Sequence, residues 1–176
     1  MRVLFFILLS SIFQGTNSTC ARIRENVTKL KNIPYPELAY ADSVYISVVK
    51  EGLDAVPCLI EMLDDTCSTD IAIPNFGKTY SRGELALGLI NQIISFDVEN
   101  FIIQNKHLLL VDSCYDYRIG YGNVHLCVFS NFQSQKLFKK ELSEWFSRHD
   151  YVFVNNPVVN HETGDTILTG HYKVID

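Results

Sequence analysis

Apolar residues recur at helical spacing in the first half of the chain, and this pattern predicts consecutive helices. One predicted helix covers Glu37–Lys50, and a second covers Ala55–Leu63 with Asp54 as its N-cap. A third follows Ser81, because Glu84 stands three residues later and completes the sequence signature of a capping box. We therefore expect a mainly helical body.

The second half of the chain adds one more helix and then a β-type pattern. Gln133–Arg148 has an apolar stripe at helical spacing and predicts an amphipathic helix. Tyr151–Val154 is a β-type run, Asn155–Pro157 is a turn signal, and Thr166–Ile175 alternates between apolar and polar residues. These features predict a short C-terminal antiparallel β-hairpin. The predicted fold class is therefore mainly α, of the α+β type.

Three stretches are less regular in sequence. Asp64–Tyr80 is rich in turn-forming residues and reads as a long irregular loop, and Ala21–Lys31 reads as a polar lead-in without a clear structure. Asn123–Phe129 alternates and favours a strand. Chain length and the absence of a Ser/Gly-rich linker indicate one domain.

The stretch Glu51–Asp64 reads EGLDAVPCLIEMLD and resembles the inner part of a HEAT-type helical repeat. Glu84–Ile90, ELALGLI, is similar to the start of the helix in the next unit. The resemblance covers residues 37–95 and implies a HEAT-like helical kernel. No second Ala-Val-Pro stretch is present, whereas a solenoid needs about three units. Other elements must therefore complete the fold, as in small exported bacterial proteins of unknown function.

The N-terminus has the layout of a secretory signal peptide. Arg2 is a short basic region, Val3–Phe13 is an apolar run, and small or polar residues follow. The apolar run is shorter than the roughly 20 residues that cross a bilayer. We therefore predict a signal peptide at residues 1–20, one globular domain at residues 21–176, and no integral membrane span in the mature chain. The predicted location is periplasmic or extracellular.

Export would place the cysteines in a compartment that permits disulfides. The chain contains Cys20, Cys58, Cys67, Cys114 and Cys127. Cys114 with Cys127 is the candidate disulfide that closes one local loop. Cys58 is left open between a bond to Cys67 and a buried free thiol. A lipid anchor on Cys20 is the less favoured alternative, because the residues before it match a lipobox poorly.

Composition and motifs favour binding over catalysis. The net charge of −5 gives no electrostatic reason to bind nucleic acid. His125 and Cys127 would share one face of a strand, but no flanking motif supports a Cys–His hydrolase. His149, His161 and His171 lack the spacing of a metal site. We therefore predict no catalytic residue, no metal site and no cofactor, with a small secreted hydrolase using a Cys–His pair or a bound metal as the alternative.

Two segments carry the predicted binding residues. Aromatic and arginine side chains, which are enriched in protein interfaces, cluster in a glycine-containing stretch and form the first set: Tyr115, Tyr117, Arg118 and Tyr121. The acidic residues of the long predicted loop form the second set: Asp64, Asp65 and Asp70. The sequence thus predicts an exported, non-catalytic protein-binding module whose partner is another protein. By analogy of size, charge and compartment, it would be an inhibitor or immunity-type protein of the cell envelope.

Overall fold

The computed structural model describes residues 18–31, 42–73, 77–108, 128–129, 131–159 and 166–175. These residues form a mixed helix and strand fold of the α+β class with two small antiparallel sheets. The helices are α1 (18–29), α2 (Ser43–Val49), α3 (Val56–Ile60), α4 (Arg82–Ile93), α5 (Val98–Gln104) and α6 (Phe132–Arg148). Two 3₁₀ turns cover Gly52–Ala55 and Lys106–Leu108, and the strands are β1 (Ser68–Ile73), β2 (Lys78–Ser81), β3 (Asp150–Val159) and β4 (Thr166–Ile175).

Helix α1 is an integral part of the hydrophobic core. Ile23 and Val27 are fully buried, and Leu30 just after the helix is also buried. These residues stand at i, i+4 and i+7, which places them on one helical face. The interpretation of 21–31 as a lead-in without clear structure is therefore wrong, because this apolar stripe packs against the rest of the core.

Helix α2 begins six residues later than predicted. The buried carboxylate of Asp42 caps it by accepting hydrogen bonds from the backbone N–H groups of Val44 and Tyr45, at 2.9 and 3.3 Å. The backbone of Asp42 is extended, so no helix continues through it from Glu37. Asp42 also accepts a hydrogen bond from the N–H of Lys31 at 3.0 Å, which fixes the end of α1 against the start of α2.

Helix α3 is entered through the 3₁₀ turn at Gly52–Ala55. Gly52 has a φ of +60°, a conformation that favours glycine, and the ring of Tyr172 lies against it. The N-cap of α3 is Ala55, which caps without a side-chain hydrogen bond, so the prediction that Asp54 caps this helix is wrong. Pro57 lies in the first turn as predicted, where its missing N–H costs little.

The predicted irregular loop contains an antiparallel strand pair. Strands β1 and β2 pair with a register shift between Ser68 and Ala72. Ile71 is the buried residue of β1, so these strands carry too little apolar alternation to be recognised from sequence. The capping box that follows is confirmed, because the Glu84 carboxylate accepts from the N–H of Ser81 at 2.6 Å while the Ser81 hydroxyl accepts from the N–H of Glu84.

Helix α6 agrees with its predicted bounds to within one residue and is capped by Asn131. Phe138 and Leu142 on its apolar stripe are fully buried. Trp145 extends this stripe, with its ring 4.9 Å from that of Phe96 between centroids. The stripe therefore packs α6 against the region of α5, as its period predicts.

Strands β3 and β4 pair antiparallel and form what we call the ribbon. The turn predicted at Asn155–Pro157 is wrong, because β3 continues through these residues and absorbs them in a register shift. Gly170 lies opposite Asn155 with a φ of 155°, and a Cβ there would collide with the carbonyl oxygen of Val154. The ribbon joins the helical body where the N–H of Ser95 donates to the carbonyl of Tyr172 at 2.8 Å.

The segment predicted as a strand at Asn123–Phe129 is described only at its end. Val128 and Phe129 are helical, and Val128 is fully buried. The strand prediction is therefore wrong for these two residues, and the rest of it lies outside the described residues.

Candidate functional site

A disulfide joins the N-terminal helix to the centre of the fold. Cys20 of α1 is bonded to Cys58 of α3, with their Cα atoms 5.2 Å apart. Both alternatives considered for Cys58, a bond to Cys67 and a buried free thiol, are therefore wrong, and Cys67 is an exposed free thiol. The candidate pair Cys114 and Cys127 lies outside the described residues and stays a prediction.

Asp64, one of the predicted binding residues, forms an ion pair with Lys139 inside the fold. Its carboxylate lies 3.0 Å from Nζ of Lys139 on α6, which also donates to the carbonyl of Glu61 at 2.9 Å and lies 3.0 Å from the Glu61 carboxylate. Burial lowers the pKa of Lys139, but the hydrogen bonds to Glu61 and Asp64 outweigh it and raise that pKa overall. Asp64 thus fastens α6 to the turn after α3.

Asp65 organises the turn between α3 and β1. Its side chain accepts a hydrogen bond from the N–H of Cys67 at 2.9 Å, and its carbonyl accepts from the N–H of Gly83 at 3.0 Å. Gly83 is required there, because a Cβ would lie 2.6 Å from the carbonyl oxygen of Leu63. Hydrogen bonding and charge repulsion from Asp65 raise the pKa of the Cys67 thiol, while Arg82 acts in the opposite direction.

The remaining predicted site residues are not brought together by the described part of the fold. Asp70 is exposed on β1. The aromatic and arginine set lies outside the described residues: Tyr115, Tyr117, Arg118 and Tyr121. The Cys–His alternative rests on His125 and Cys127, which also lie outside them.

Of the three histidines considered as metal ligands, two lie within the described residues and one lies outside them. His149 is held by its own helix, with Nδ1 2.7 Å from the carbonyl of Trp145 and its ring 4.7 Å from the indole between centroids. His171 lies on β4, and His161 is outside the described residues. Within the described ranges, no group of three or more His, Cys, Asp or Glu side chains is placed to hold a metal ion.

A cleft of about 380 Å³ opens between α1 and the start of α4. Its lining combines two arginines, three acids, a hydroxyl and one thioether: Arg24, Arg82, Glu25, Glu61, Asp65, Thr28 and Met62. Asp65 is the one residue of this lining that was predicted to bind a partner, and α1 was not expected to form a site, so sequence reasoning missed most of this cleft. The helical spacing of Ile23 and Val27 would have revealed α1, but no local signal places Arg24 in the same cleft as Arg82.

The outer face of the ribbon exposes apolar side chains beside charged ones. Asp150 pairs with Ile175 and Val152 pairs with Lys173, so these four side chains share one face of the two strands. All four are exposed, and Val152 and Ile175 retain 47% and 49% of their surface. Phe153, on the other face, is 47% exposed. We call the set Asp150, Val152, Lys173 and Ile175 the outer ribbon face.

The ribbon is held to the helical body through its inner face. The Tyr151 hydroxyl donates to the carbonyl of Phe146 at 3.1 Å, and burial raises the pKa of Tyr151 to about 12. Tyr172 packs against Gly52 and against the ring of Phe153, 5.2 Å away between centroids. The inner face therefore anchors the ribbon while the outer ribbon face remains accessible.

None of the described helices is both long enough and apolar enough to cross a bilayer. The chain matches no protein-family model, no curated protein and no solved structure.

Proposed function

We propose that this chain is an exported, non-catalytic protein-binding module that inhibits or neutralises another protein at the cell envelope. The observation that carries the proposal is the exposure of Val152 and Ile175, which each retain nearly half of their surface on the outer ribbon face. Apolar residues grouped on an exposed surface and bordered by charges are typical of protein-binding sites. The outer ribbon face is the proposed docking surface.

The charges on this face define the partner. Asp150 and Lys173 have no ion-pair partner among the described residues, and they stand diagonally opposite each other around the two apolar side chains. A complementary surface would present an apolar centre, a basic group for Asp150 and an acidic group for Lys173. Such complementarity sets the orientation of the partner and speeds its association.

The anchoring of the ribbon supports a preformed surface. Tyr151 and Tyr172 attach its inner face to α6 and to the 3₁₀ turn before α3. A surface that is ordered before binding loses little conformational entropy when a partner docks. Substitutions on the outer ribbon face should therefore alter binding without altering this attachment.

Export is supported by the disulfide between Cys20 and Cys58. Disulfides persist in oxidising compartments and are rare in the cytosol. For the bond to remain in the mature chain, a signal peptidase would have to cleave before Cys20, and so earlier than the predicted end of the signal peptide at residue 20. A lipid on Cys20 would use the same sulfur, so we propose that the mature protein is not lipidated there.

We also propose that a HEAT-like unit forms the kernel of the helical body. Its support is the sequence resemblance together with the packing of α3 against α4. In this proposal the β1–β2 pair is an insertion in the chain between the two helices, and α6 and the ribbon take the place of neighbouring repeats. Such neighbours are what a single repeat needs to bury its apolar faces.

The experiment uses tagged full-length protein to capture a partner from envelope extract, followed by reconstitution with the purified partner. The wild type should form a stoichiometric complex, measured by calorimetry. The double variant Val152→Asp, Ile175→Asp should bind at least about 30-fold more weakly, as expected for loss of a binding hot spot. The matched control is Phe132→Asp, because Phe132 is 48% exposed but lies on α6.

The control should bind as tightly as the wild type. Failure to reconstitute a stoichiometric complex would contradict the proposal. Equal affinity of the double variant, with an unchanged melting temperature, would exclude the outer ribbon face as the docking surface. If the double variant melts at a lower temperature than the wild type, the single charge reversal Lys173→Glu provides the test. Lys173 is exposed and forms no ion pair within the described residues, so this change should not affect folding.

A further inference from the structure

The outer ribbon face carries its two charges on one diagonal and its two apolar side chains on the other. On β3, Asp150 and Val152 point to this face. Ile175 lies directly opposite Asp150, and Lys173 lies directly opposite Val152. The two charged residues are therefore diagonal neighbours, about 7–8 Å apart. Neither of them forms an ion pair within the described residues.

The ribbon is where the described part of the fold leaves most of its large apolar side chains uncovered. Four such side chains are exposed in the described residues, and three of them belong to the ribbon: Val152, Phe153 and Ile175. Val152 and Ile175 lie together on the outer ribbon face. Apolar side chains grouped on a surface in this way are typical of an interface.

We propose that the outer ribbon face pairs with the same face of a second copy of this chain, so that the free protein covers the surface its partner would use. The contact has a two-fold axis along the diagonal through Val152 and Ile175, which makes it isologous. Each of these apolar side chains then meets its own equivalent. The same rotation carries Asp150 of each copy to Lys173 of the other, so two ion pairs border the apolar centre.

Charge complementarity selects both this occupant and this orientation. The proposed docking surface requires an apolar centre, a basic group for Asp150 and an acidic group for Lys173, and a second copy supplies all three. A two-fold axis along or across the strands would place each charge over an apolar side chain. An axis along the charged diagonal would bring like charges together, which is repulsive. In the remaining orientation the strands of the two copies cross steeply, as in orthogonal sheet packing.

The size of the contact predicts a weak dimer. Four side chains from each copy make an interface smaller than the roughly 1,200 Å² at which stable complexes begin, so we expect a Kd on the order of 0.1–1 mM. A tighter-binding partner would displace the second copy, because both use the same surface. This competition rests on the proposed function, whereas the self-association does not.

The test is sedimentation velocity of the purified protein alone, at concentrations from about 20 µM to about 2 mM. The sedimentation coefficient of the wild type should rise with concentration. Asp150→Lys and Lys173→Asp should each weaken the dimer at least about tenfold, because like charges then face each other across the contact. An equimolar mixture of the two variants should dimerise again, since the two lysines of one variant meet the two aspartates of the other.

Lys78→Asp is the matched control. Lys78 is also an exposed lysine on a strand, but it lies on β2 and not on the ribbon. The substitution makes the same change in charge as Lys173→Asp, so it should leave the self-association of the wild type intact. Recovery of the dimer in the mixture shows in addition that both ribbon variants are folded.

A wild type that stays monomeric throughout would overturn the inference. Variants that dimerise alone, a mixture that stays monomeric, or a control that loses the dimer would each overturn it as well. A monomeric wild type whose capture of a partner still depends on Val152 and Ile175 would leave the proposed function standing. Self-association of the wild type without any captured partner would support this inference and contradict the proposed function.

Discussion

The Nζ atom of Lys139 lies 3.0 Å from Oδ1 of Asp64, although 75 residues separate the two in the chain. This contact ties the longest described helix to the turn that leads into the β1–β2 pair. The same ammonium group also binds the backbone carbonyl of Glu61. Asp64 therefore makes an internal contact, and its binding role stays a prediction.

Replacing Lys139 with Met should lower the free energy of unfolding by about 1–2 kcal/mol, because three contacts of a partly buried charge are lost. Urea denaturation provides the measurement. Lys140→Met is the matched control, since the neighbouring Lys140 is 68% exposed and lies 3.7 Å from Glu144 in an ordinary helical pair. Its effect should stay below about 0.5 kcal/mol. Equal losses in both variants would show that the contact with Asp64 contributes nothing.

Breaking the Cys20–Cys58 bond should destabilise the protein strongly. The bond closes a loop with a sequence separation of 38, for which the chain-entropy relation gives about 4 kcal/mol. Cys58→Ser should therefore unfold at a lower urea concentration than the oxidised wild type. The variant Cys67→Ser should unfold like the wild type, because Cys67 is free and exposed. Identical midpoints for all three would mean that α1 docks without needing the bond.

The thiol of Cys67 should become more reactive when Asp65 loses its charge. Asp65 raises the pKa of Cys67, so Asp65→Asn should lower that pKa and increase the thiolate fraction at neutral pH. The measurement is the rate of iodoacetamide labelling at Cys67 against pH, followed by peptide mass spectrometry. The midpoint of the profile should move to lower pH.

Asp64→Asn is the control for this labelling experiment. Asp64 precedes Asp65 directly but bonds to Lys139, so its removal should leave the Cys67 profile in place. A shift of the same size in both variants would indicate a general loss of negative charge and not the local contact.

Elements with strong local signals could be predicted from the sequence. The capping box of Ser81 and Glu84 involves residues three apart, and the apolar stripe of α6 repeats over several turns. Each of these signals is complete within a short window. The start of α2 was misplaced because the apolar period continues before Asp42, while the extended backbone of Asp42 ends any helix from that side.

Features that depend on distant contacts could not be predicted. Cys20 was grouped with the signal region, and its partner Cys58 stands on a helix that looks complete without it. Strands β1 and β2 contain mostly polar residues. They form because they pair with each other and not because they bury an apolar face. Arg24 and Arg82 line the same cleft only after α1 packs on the core.

The bond between Cys20 and Cys58 also changes what a protease can achieve. Any single cut between residues 21 and 57 leaves both fragments covalently joined through the two sulfur atoms. The nicked molecule would migrate as one species in a denaturing gel until a reductant separates it into two bands. A chain with this linkage keeps α1 attached even after the backbone between α1 and α3 has been severed.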